Sequence, residues 1–352
     1  MRHARGRDVR VGVVVIGRNE GERLRRCLAS VLPVCPRVVY VDSGSTDGSV
    51  RTAQALGCDV VELDLSVPFT AARARNAGRS RLAELDPTIE AIQFIDGDCE
   101  LDPEWIGVAS QRLDADARCA VVWGRRRERE PERSVYNRLC DLEWDTPIGP
   151  STWFGGDALI RAAALDEVGG YDPAVIAGEE PDLAWRLRHR GWTIQRIDAA
   201  MTTHDAAMTT LGQWWRRADR AGHAHIDMAA RHGWGVTPYG PAGVIKTIMW
   251  SAGVPACIAV LALLWTPWAL LGLGLYDLLA LKIALGARRA GRRWEDALVL
   301  GVFTVLAKWP ETAGYARWAI RRLTGRHATI IEYKRPGPVD RAPSAPTPSD
   351  VS

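Results

Sequence analysis

The sequence of 352 residues predicts an α/β fold, a doubly wound sheet, followed by a helical membrane region. Strand and helix patterns alternate at short spacing from residue 9 to about residue 100, as in doubly wound sheets. An apolar run, residues 91–95, ends abruptly in Asp96-Gly97-Asp98. Residues 247–276 carry no charged side chain, and a membrane span needs only about 20 apolar residues.

The composition limits the possible partners and compartments. A formal net charge of +3 gives no reason to expect a nucleic-acid partner. The seven cysteines are scattered and include no CxxC pair, so neither a zinc site nor a disulfide framework is predicted, and a reducing compartment fits best. The basic N-terminus runs directly into a strand, so no signal peptide is expected.

The first strand is predicted over residues 9–16, which are apolar and β-branched like a buried parallel strand. A loop (17–20), a helix (22–31), a strand (37–41), a turn-rich segment (43–49), a helix (50–56) and a strand (59–63) follow. Because neither G-x-G-x-x-G nor G-x-x-x-x-G-K-[ST] occurs here, an NAD enzyme or a P-loop NTPase is disfavoured.

The run before Asp96 is predicted to be a strand that ends at the carboxyl edge of the sheet, where such sheets bind ligands. Two carboxylates there suit Mg²⁺ or Mn²⁺, and the metal suits a diphosphate. A polar strand end with a turn is the alternative. Later segments are predicted as a helix from about Trp105, a strand (119–124), an exposed loop of alternating charge (125–133), a helix from about residue 179 and a strand (193–197).

Four motifs occur in order: residues 13–20, 41–49, 75–78 and 96–98. This series resembles the inverting family 2 glycosyltransferases, which have the GT-A nucleotide-diphospho-sugar transferase fold. The resemblance covers about residues 9–235. It implies transfer of a sugar from a nucleotide diphosphate sugar.

The resemblance also implies the donor site. Asp42 would contact uracil, with Glu20 nearby on the base or ribose, and Arg75 would face the phosphates, for which a guanidinium fork is suited. Arg18 would also bind the nucleotide. An Asx-turn at Asp42 and a solvated basic face around Arg75 are the alternatives. Asp96 would bind ribose, or the metal through water.

The metal ligands and the catalytic base are implied by the same resemblance. Asp98 is the predicted Mn²⁺ or Mg²⁺ ligand, joined by His204, since several GT-A enzymes have a histidine after the last strand; a structural histidine is the alternative. Glu179-Glu180 stands where the family's second acid, commonly aspartate, is the catalytic base, so Glu180 is predicted to deprotonate the acceptor. Acidic residues also simply favour a helix N-terminus.

The acceptor side is predicted from two segments. Gly155-Gly156 resembles a family glycine pair and allows close approach of a ligand, although a tight turn explains it as well. Gln213, Trp214 and Arg216 lie in a segment that partly matches the Gln-x-x-Arg-Trp of processive synthases, with arginine in place of the tryptophan. That departure favours transfer of one sugar; an interfacial helix is the alternative.

The C-terminal part is predicted to associate with a membrane. A transmembrane hairpin over about residues 248–285 would leave the following arginines in the cytoplasm, where the nucleotide sugar is. An interfacial or re-entrant helix is expected over about 295–323 and a disordered tail over 335–352. The chain is thus divided into a transferase domain (1–235), a membrane-associated region (236–334) and the tail.

The sequence therefore predicts an enzyme of the cytoplasmic membrane, with its catalytic domain facing the cytoplasm. It would move one sugar, from UDP-sugar by resemblance, to a lipid-linked or envelope glycan acceptor with a divalent metal. A processive polysaccharide synthase and a non-catalytic membrane scaffold are alternatives. Nucleotidyl transfer is disfavoured because the first loop lacks a lysine- and glycine-rich signature.

Overall fold

The computed structural model describes residues 9–233 and 241–325, so the predicted tail lies outside the described residues. Its nine strands form one mixed sheet in the order β3-β2-β1-β4-β8-β6-β9-β5, with β7 beside β9. The strands are β1 (Val11–Gly17), β2 (Val38–Asp42), β3 (Asp59–Glu62), β4 (Ala91–Asp96), β5 (Cys99–Leu101), β6 (Cys119–Glu128), β7 (Gly149–Pro150), β8 (Ala158–Arg161) and β9 (Thr193–His204).

Helices pack against the sheet and form the C-terminal region. The α-helices are α1 (Glu22–Val31), α2 (Ser49–Ala55), α3 (Ala71–Leu85), α4 (Trp105–Asp114), α5 (Val135–Trp144), α6 (Ala162–Val168), α7 (Glu179–His189), α8 (Leu211–His232), α9 (Pro241–Ile248), α10 (Val254–Leu264), α11 (Gly274–Arg289), α12 (Trp294–Leu306) and α13 (Lys308–Thr324). A π-helical segment (Met249–Gly253) joins α9 to α10, and a 3₁₀ segment (Pro267–Leu273) precedes α11.

The first half of the sheet brings its loops to one edge. Strand β1 pairs in parallel with β2 and β4, and β2 pairs in parallel with β3. Helix α3 packs closely on this sheet at Gly78, where an added Cβ would lie 2.3 Å from a methyl carbon of Val14. The loops after β1 and β4 therefore open on the same side, as the alternating pattern predicted.

The prediction of an exposed loop over residues 125–133 is wrong in its first part. Strand β6 continues to Glu128, and its partner β9 continues to His204. The charges that suggested a loop are paired inside the fold: Arg126 Nε lies 3.5 Å from Asp157 Oδ2, and Glu128 Oε2 lies 3.2 Å from His204 Nδ1. Paired charges can be buried in a strand at far smaller cost than isolated ones.

Two C-terminal segments are long and apolar enough to cross a membrane, Ala242–Leu264 and Pro267–Arg289. Only 17% and 6% of their most apolar windows are buried, whereas the core helix of a soluble protein is mostly buried. The region predicted as one interfacial or re-entrant helix consists of two helices, α12 and α13, which pack against α11 and α8. Helix α13 packs on α8, so the two sides of the predicted domain boundary near residue 235 are in contact. The boundary stays a prediction.

Candidate active site

A cavity of about 650 Å³ opens at the carboxyl ends of β1 and β4. Its walls come from the loop after β1, the Asp96–Asp98 turn, the start of α7 and helix α8. Helices α12 and α13 close it with Phe303, Thr304, Ala307 and Glu311. Both halves of the chain thus contribute to one cavity.

Arg75 connects carboxylates from two walls of this cavity. Its side chain is 2% exposed, and Nη1 lies 3.1 Å from Glu179 Oε1 and 3.0 Å from Glu180 Oε1. Its Nη2 lies 3.1 Å from Asp96 Oδ1. The guanidinium group lines the cavity, as the phosphate assignment requires, but it is held by three acids in this structure.

The glycine pair lies against this ion-pair cluster. A Cβ added at Gly156 would lie 2.9 Å from both Arg75 Nη2 and Asp96 Oδ2, whereas one at Gly155 would meet nothing within 4 Å. Gly156 therefore makes room for the Arg75–Asp96 pair. The expected approach of a ligand to Gly155 stays a prediction.

Glu180 is placed as a base of near-neutral pKa. Burial raises the pKa of its carboxyl group to about 7, the neighbouring Glu179 adds to the rise, and Arg75 opposes it. A general base is most effective when its pKa lies near the working pH. Gly178, at φ +85°, forms the tight turn that starts α7 and points the two glutamates into the cavity.

Asp98 and His204 form the candidate metal site. Both are buried, and His204 Nε2 lies 3.4 Å from Asp98 Oδ2. Glu128 holds Nδ1 on the other side of the ring, so Nε2 faces the aspartate. Burial and the nearby Arg126 lower the pKa of His204, which favours the neutral imidazole that binds metals. A carboxylate and a neutral imidazole suit Mn²⁺.

Arg126 is a site residue that the sequence did not reveal. Its Nη2 lies 3.0 Å from Cys99 Sγ and 3.4 Å from Asp96 Oδ2, beside Asp157. The guanidinium thus offsets part of the negative charge of the group formed by these three side chains, and burial keeps the pKa of Cys99 well above its usual value. This leaves Asp98 and His204 as the better metal ligands. The spacing of Arg126 and Glu128 was the available signal in the sequence, because residues two apart on a strand lie on the same face of the sheet.

Of the three described residues that were predicted to bind the nucleotide near the ends of β1 and β2, two line the cavity and one does not. Arg18 and Glu20 line the cavity, and the Arg18 guanidinium carbon lies 4.5 Å from the centre of the Phe69 ring. Asp42 is absent from the described lining. Its carboxylate accepts hydrogen bonds from the Tyr40 hydroxyl (2.8 Å) and from the backbone N–H groups of Gly44 and Ser45 (2.8 and 2.7 Å). This is the Asx-type turn that sequence reasoning kept as the alternative.

Helix α8 contributes one of the three predicted residues, Trp214, and two further arginines to the cavity wall. The Gln213 side chain caps its own helix, accepting hydrogen bonds from the backbone N–H groups of Thr209 (2.9 Å) and Thr210 (3.0 Å). Trp214 lines the cavity, with its ring 5.1 Å from that of Phe303. Among the residues that the structure describes, the lining includes Arg217 and Arg220 but not Arg216.

Comparison with known proteins finds one matching family over part of the chain. Residues 12–161 match the family described as glycosyl transferase family 2. The chain is 29% identical over 235 residues to a pre-mycofactocin glycosyltransferase of Mycobacterium tuberculosis, covering 63% of this chain and 48% of that protein. It is 30% identical over 196 residues to a TPR repeat-containing protein of Synechococcus elongatus, covering 53% and 43%. The chain thus spans about half the length of these curated relatives.

Among solved structures, the mannosyltransferase PcManGT from Pyrobaculum calidifontis, in complex with GDP-Man and Mn²⁺, is similar to this chain. The TM-score is 0.55 at 19% identity, over 88% of this chain and 87% of that one. The likeness confirms the predicted GT-A fold and extends into the C-terminal helices.

Proposed function

We propose that this chain, whose residues 12–161 match glycosyl transferase family 2 and whose sheet has the GT-A fold, transfers one sugar from a nucleotide diphosphate sugar to an acceptor at a membrane surface. One observation carries the proposal. A single cavity holds Glu180, a glutamate whose pKa is raised to about 7, together with a carboxylate–imidazole pair, Asp98 and His204. These are the groups that deprotonation of an acceptor and binding of a diphosphate through a metal require.

In the proposed reaction, the Glu180 carboxylate takes the proton of the acceptor hydroxyl. The acceptor oxygen attacks the anomeric carbon from the side opposite the leaving diphosphate, so the configuration inverts. Arg75 positions Glu180 and Asp96 relative to one another through its two terminal nitrogens. A divalent metal held by Asp98 and His204 would offset the negative charge on the leaving diphosphate.

The nucleotide is proposed to be uridine diphosphate. This part of the proposal is supported only by the resemblance of the four sequence motifs to family 2 glycosyltransferases. The solved mannosyltransferase was bound to GDP-Man, so guanosine donors belong in the same test. Single transfer, and not chain elongation, is supported by Gln213: its side-chain oxygen caps α8 and already accepts hydrogen bonds from two backbone N–H groups. A lipid-linked or envelope glycan acceptor is supported by the two candidate spans that follow the site.

The test is hydrolysis or transfer with a panel of UDP-, GDP- and dTDP-sugars, using the full chain in detergent with Mn²⁺, Mg²⁺ or EDTA. We expect one donor class to be turned over only with metal. Asp98→Asn should abolish that turnover, and Glu180→Gln should lower transfer at least about 100-fold, as loss of a general base does. Asp198→Asn, an exposed aspartate on the same strand as His204, is the matched control and should keep full activity.

Different results would separate the alternatives. A GDP- or dTDP-sugar as the active donor would replace uridine diphosphate but keep the transferase assignment. Products with many added sugars would support the processive alternative. Nucleotide binding without turnover, even with native membrane lipids added, would favour the non-catalytic scaffold.

A further inference from the structure

A second cavity, of about 390 Å³, lies where the candidate membrane hairpin meets the rest of the chain. Residues from α8, α9, α11, α12 and α13 line it. It shares Thr304 and Glu311 with the candidate active site, so the two cavities adjoin. One wall is apolar, formed by Trp250, Leu279 and Ile283.

Lysines converge on this cavity. The chain has only four lysines among 45 lysine and arginine residues, and three of them, Lys246, Lys282 and Lys308, line this one space. They come from three different helices: α9, α11 and α13. Lysine carries a compact ammonium group on a flexible side chain. It binds phosphate as a point charge, whereas arginine binds it through a planar guanidinium fork.

The positive charge of the cavity is only partly balanced. Lys308 Nζ lies 3.0 Å from Glu311 Oε2, so that pair is neutral. Within residues 9–233 and 241–325, neither Lys246 nor Lys282 forms an ion pair with a carboxylate. The other titratable lining groups, His225 and Tyr315, add no charge, because burial lowers the pKa of His225 to about 4 and raises that of Tyr315 to about 12.

The two unbalanced lysines lie at one level of the hairpin. Lys246 comes four residues after the start of the first candidate span, and Lys282 seven residues before the end of the second. At 1.5 Å per residue these offsets are about 6 and 10 Å from the same end of the hairpin. That is the depth at which lysine side chains reach lipid head groups. Arg288 and Arg289 mark this end as the cytoplasmic one.

We propose that this cavity binds the phosphate of an anionic membrane lipid, with its hydrocarbon chains lying along the hairpin. Lys246 and Lys282 supply the charge, and the Trp250–Leu279–Ile283 wall accommodates the apolar part below the head group. The site is separate from sugar transfer and would hold the catalytic cavity at the membrane surface. It does not depend on which donor or acceptor the enzyme uses.

The proposal is tested by thermal unfolding of the full chain in mixed micelles of detergent and phosphatidylcholine, titrated with phosphatidylglycerol. We expect the melting temperature to rise with phosphatidylglycerol in the unaltered protein. The Lys246→Gln/Lys282→Gln variant should need about 30-fold more lipid for half of the rise, since two lysine–anion contacts at a membrane contribute about 2 kcal/mol. Arg288→Gln/Arg289→Gln removes the same charge outside the cavity and should keep the half-saturation point within about threefold.

Three results would overturn the proposal. The first is no rise in the unaltered protein. The second is equal weakening in both double variants, which would show general attraction to an anionic surface. The third is the same rise with millimolar inorganic phosphate in place of phosphatidylglycerol, which would make this a site for a soluble anion. Unchanged melting in phosphatidylcholine alone and unchanged donor turnover would show that the lysine variant is folded.

Discussion

At the scale of single residues, Arg75 explains how three carboxylates can share one buried cluster. Glu179, Glu180 and Asp96 would repel one another in a cavity of low dielectric constant, and each would be costly to keep ionised. A guanidinium with two terminal nitrogens contacts all three from a position 2% exposed to solvent. The geometry of the site therefore depends on this one cation.

Arg75→Lys is expected to remove much of that support. A single ammonium cannot bridge Asp96 on one side and the glutamates on the other, so part of the cluster loses its counter-ion. We expect a loss of about 3 kcal/mol in the free energy of unfolding, together with at least a tenfold fall in kcat/KM. Arg73→Lys is the control on the same helix: Arg73 is only partly buried, and its guanidinium group donates hydrogen bonds to backbone carbonyls and not to the buried cluster, so little should change in urea unfolding or transfer.

The pH dependence of transfer should report Glu180. Only its carboxylate form can accept a proton, and its pKa is raised to about 7, so kcat/KM should rise as the pH increases through about 7. Glu179→Gln removes a negative charge that raises this pKa, so the acid limb of the profile should move to lower pH. Glu167→Gln, which alters a surface contact with Trp192, should leave the profile in place. An acid limb that stays fixed in Glu179→Gln would assign it to another group.

Sequence reasoning located these residues better than it assigned their contacts. Asp98, His204 and Glu180 were predicted from motifs, and the structure brings them to one cavity. The partners of Arg75 could not be found in this way, because Glu179 lies 104 positions away along the chain. Asp42 and Gln213 were given ligand roles, yet nearby backbone groups occupy their side chains. Short-range hydrogen bonds of Asp and Gln compete with any ligand for the same atoms.

At the scale of elements, the regular strands and helices of the first half were predictable, and the later ones were not. Apolar periodicity gave α1 its observed bounds, Glu22–Val31. It failed for β6, whose last residues are charged, because the partners that allow their burial lie far along the chain, Asp157 just before β8 and His204 at the end of β9. Helix α5 was missed as well.

The contact between α8 and α13 depends on two glycines. A Cβ at Gly222 would lie 2.2 Å from the backbone oxygen of Glu311, and one at Gly314 would lie 2.2 Å from that of Asp219. Gly222→Ala must therefore push the helices apart, which we expect to cost about 1–3 kcal/mol of stability and to lower transfer, since Glu311 lines the cavity. Gly212→Ala in the same helix meets only an arginine side chain at 3.6 Å and should not destabilise the protein. Thermal unfolding of both variants measures the difference.

At the scale of the whole molecule, the C-terminal helices complete the candidate active site. Phe303 of α12 packs on Trp214 of α8 and on Tyr136 of α5, so the helices that follow the two candidate spans pack back against the first part of the chain. The hairpin itself was predicted from its charge-free length and from the arginines that follow it. The contribution of the following helices to the candidate active site was not predicted. Hydropathy indicates the environment of a segment, but it does not indicate which surfaces the flanking helices contact. A membrane acceptor would reach the cavity from this side.

The last prediction concerns the orientation of the hairpin. Each candidate span of 23 residues is about 35 Å long as a helix, enough to cross a hydrocarbon core of about 30 Å. Thr266, at the turn between the spans, should then lie outside the cell, and Arg293 should lie in the cytoplasm with the catalytic cavity. Cys257 is the one exposed cysteine among the described residues, so Cys257→Ala gives a clean background. In intact cells, a membrane-impermeant maleimide should label Thr266→Cys and spare Arg293→Cys, whereas both should react after the membrane is broken. If Thr266→Cys stays unlabelled in intact cells but reacts after lysis, the two helices do not cross, and the hairpin lies on the cytoplasmic surface with both ends on one side.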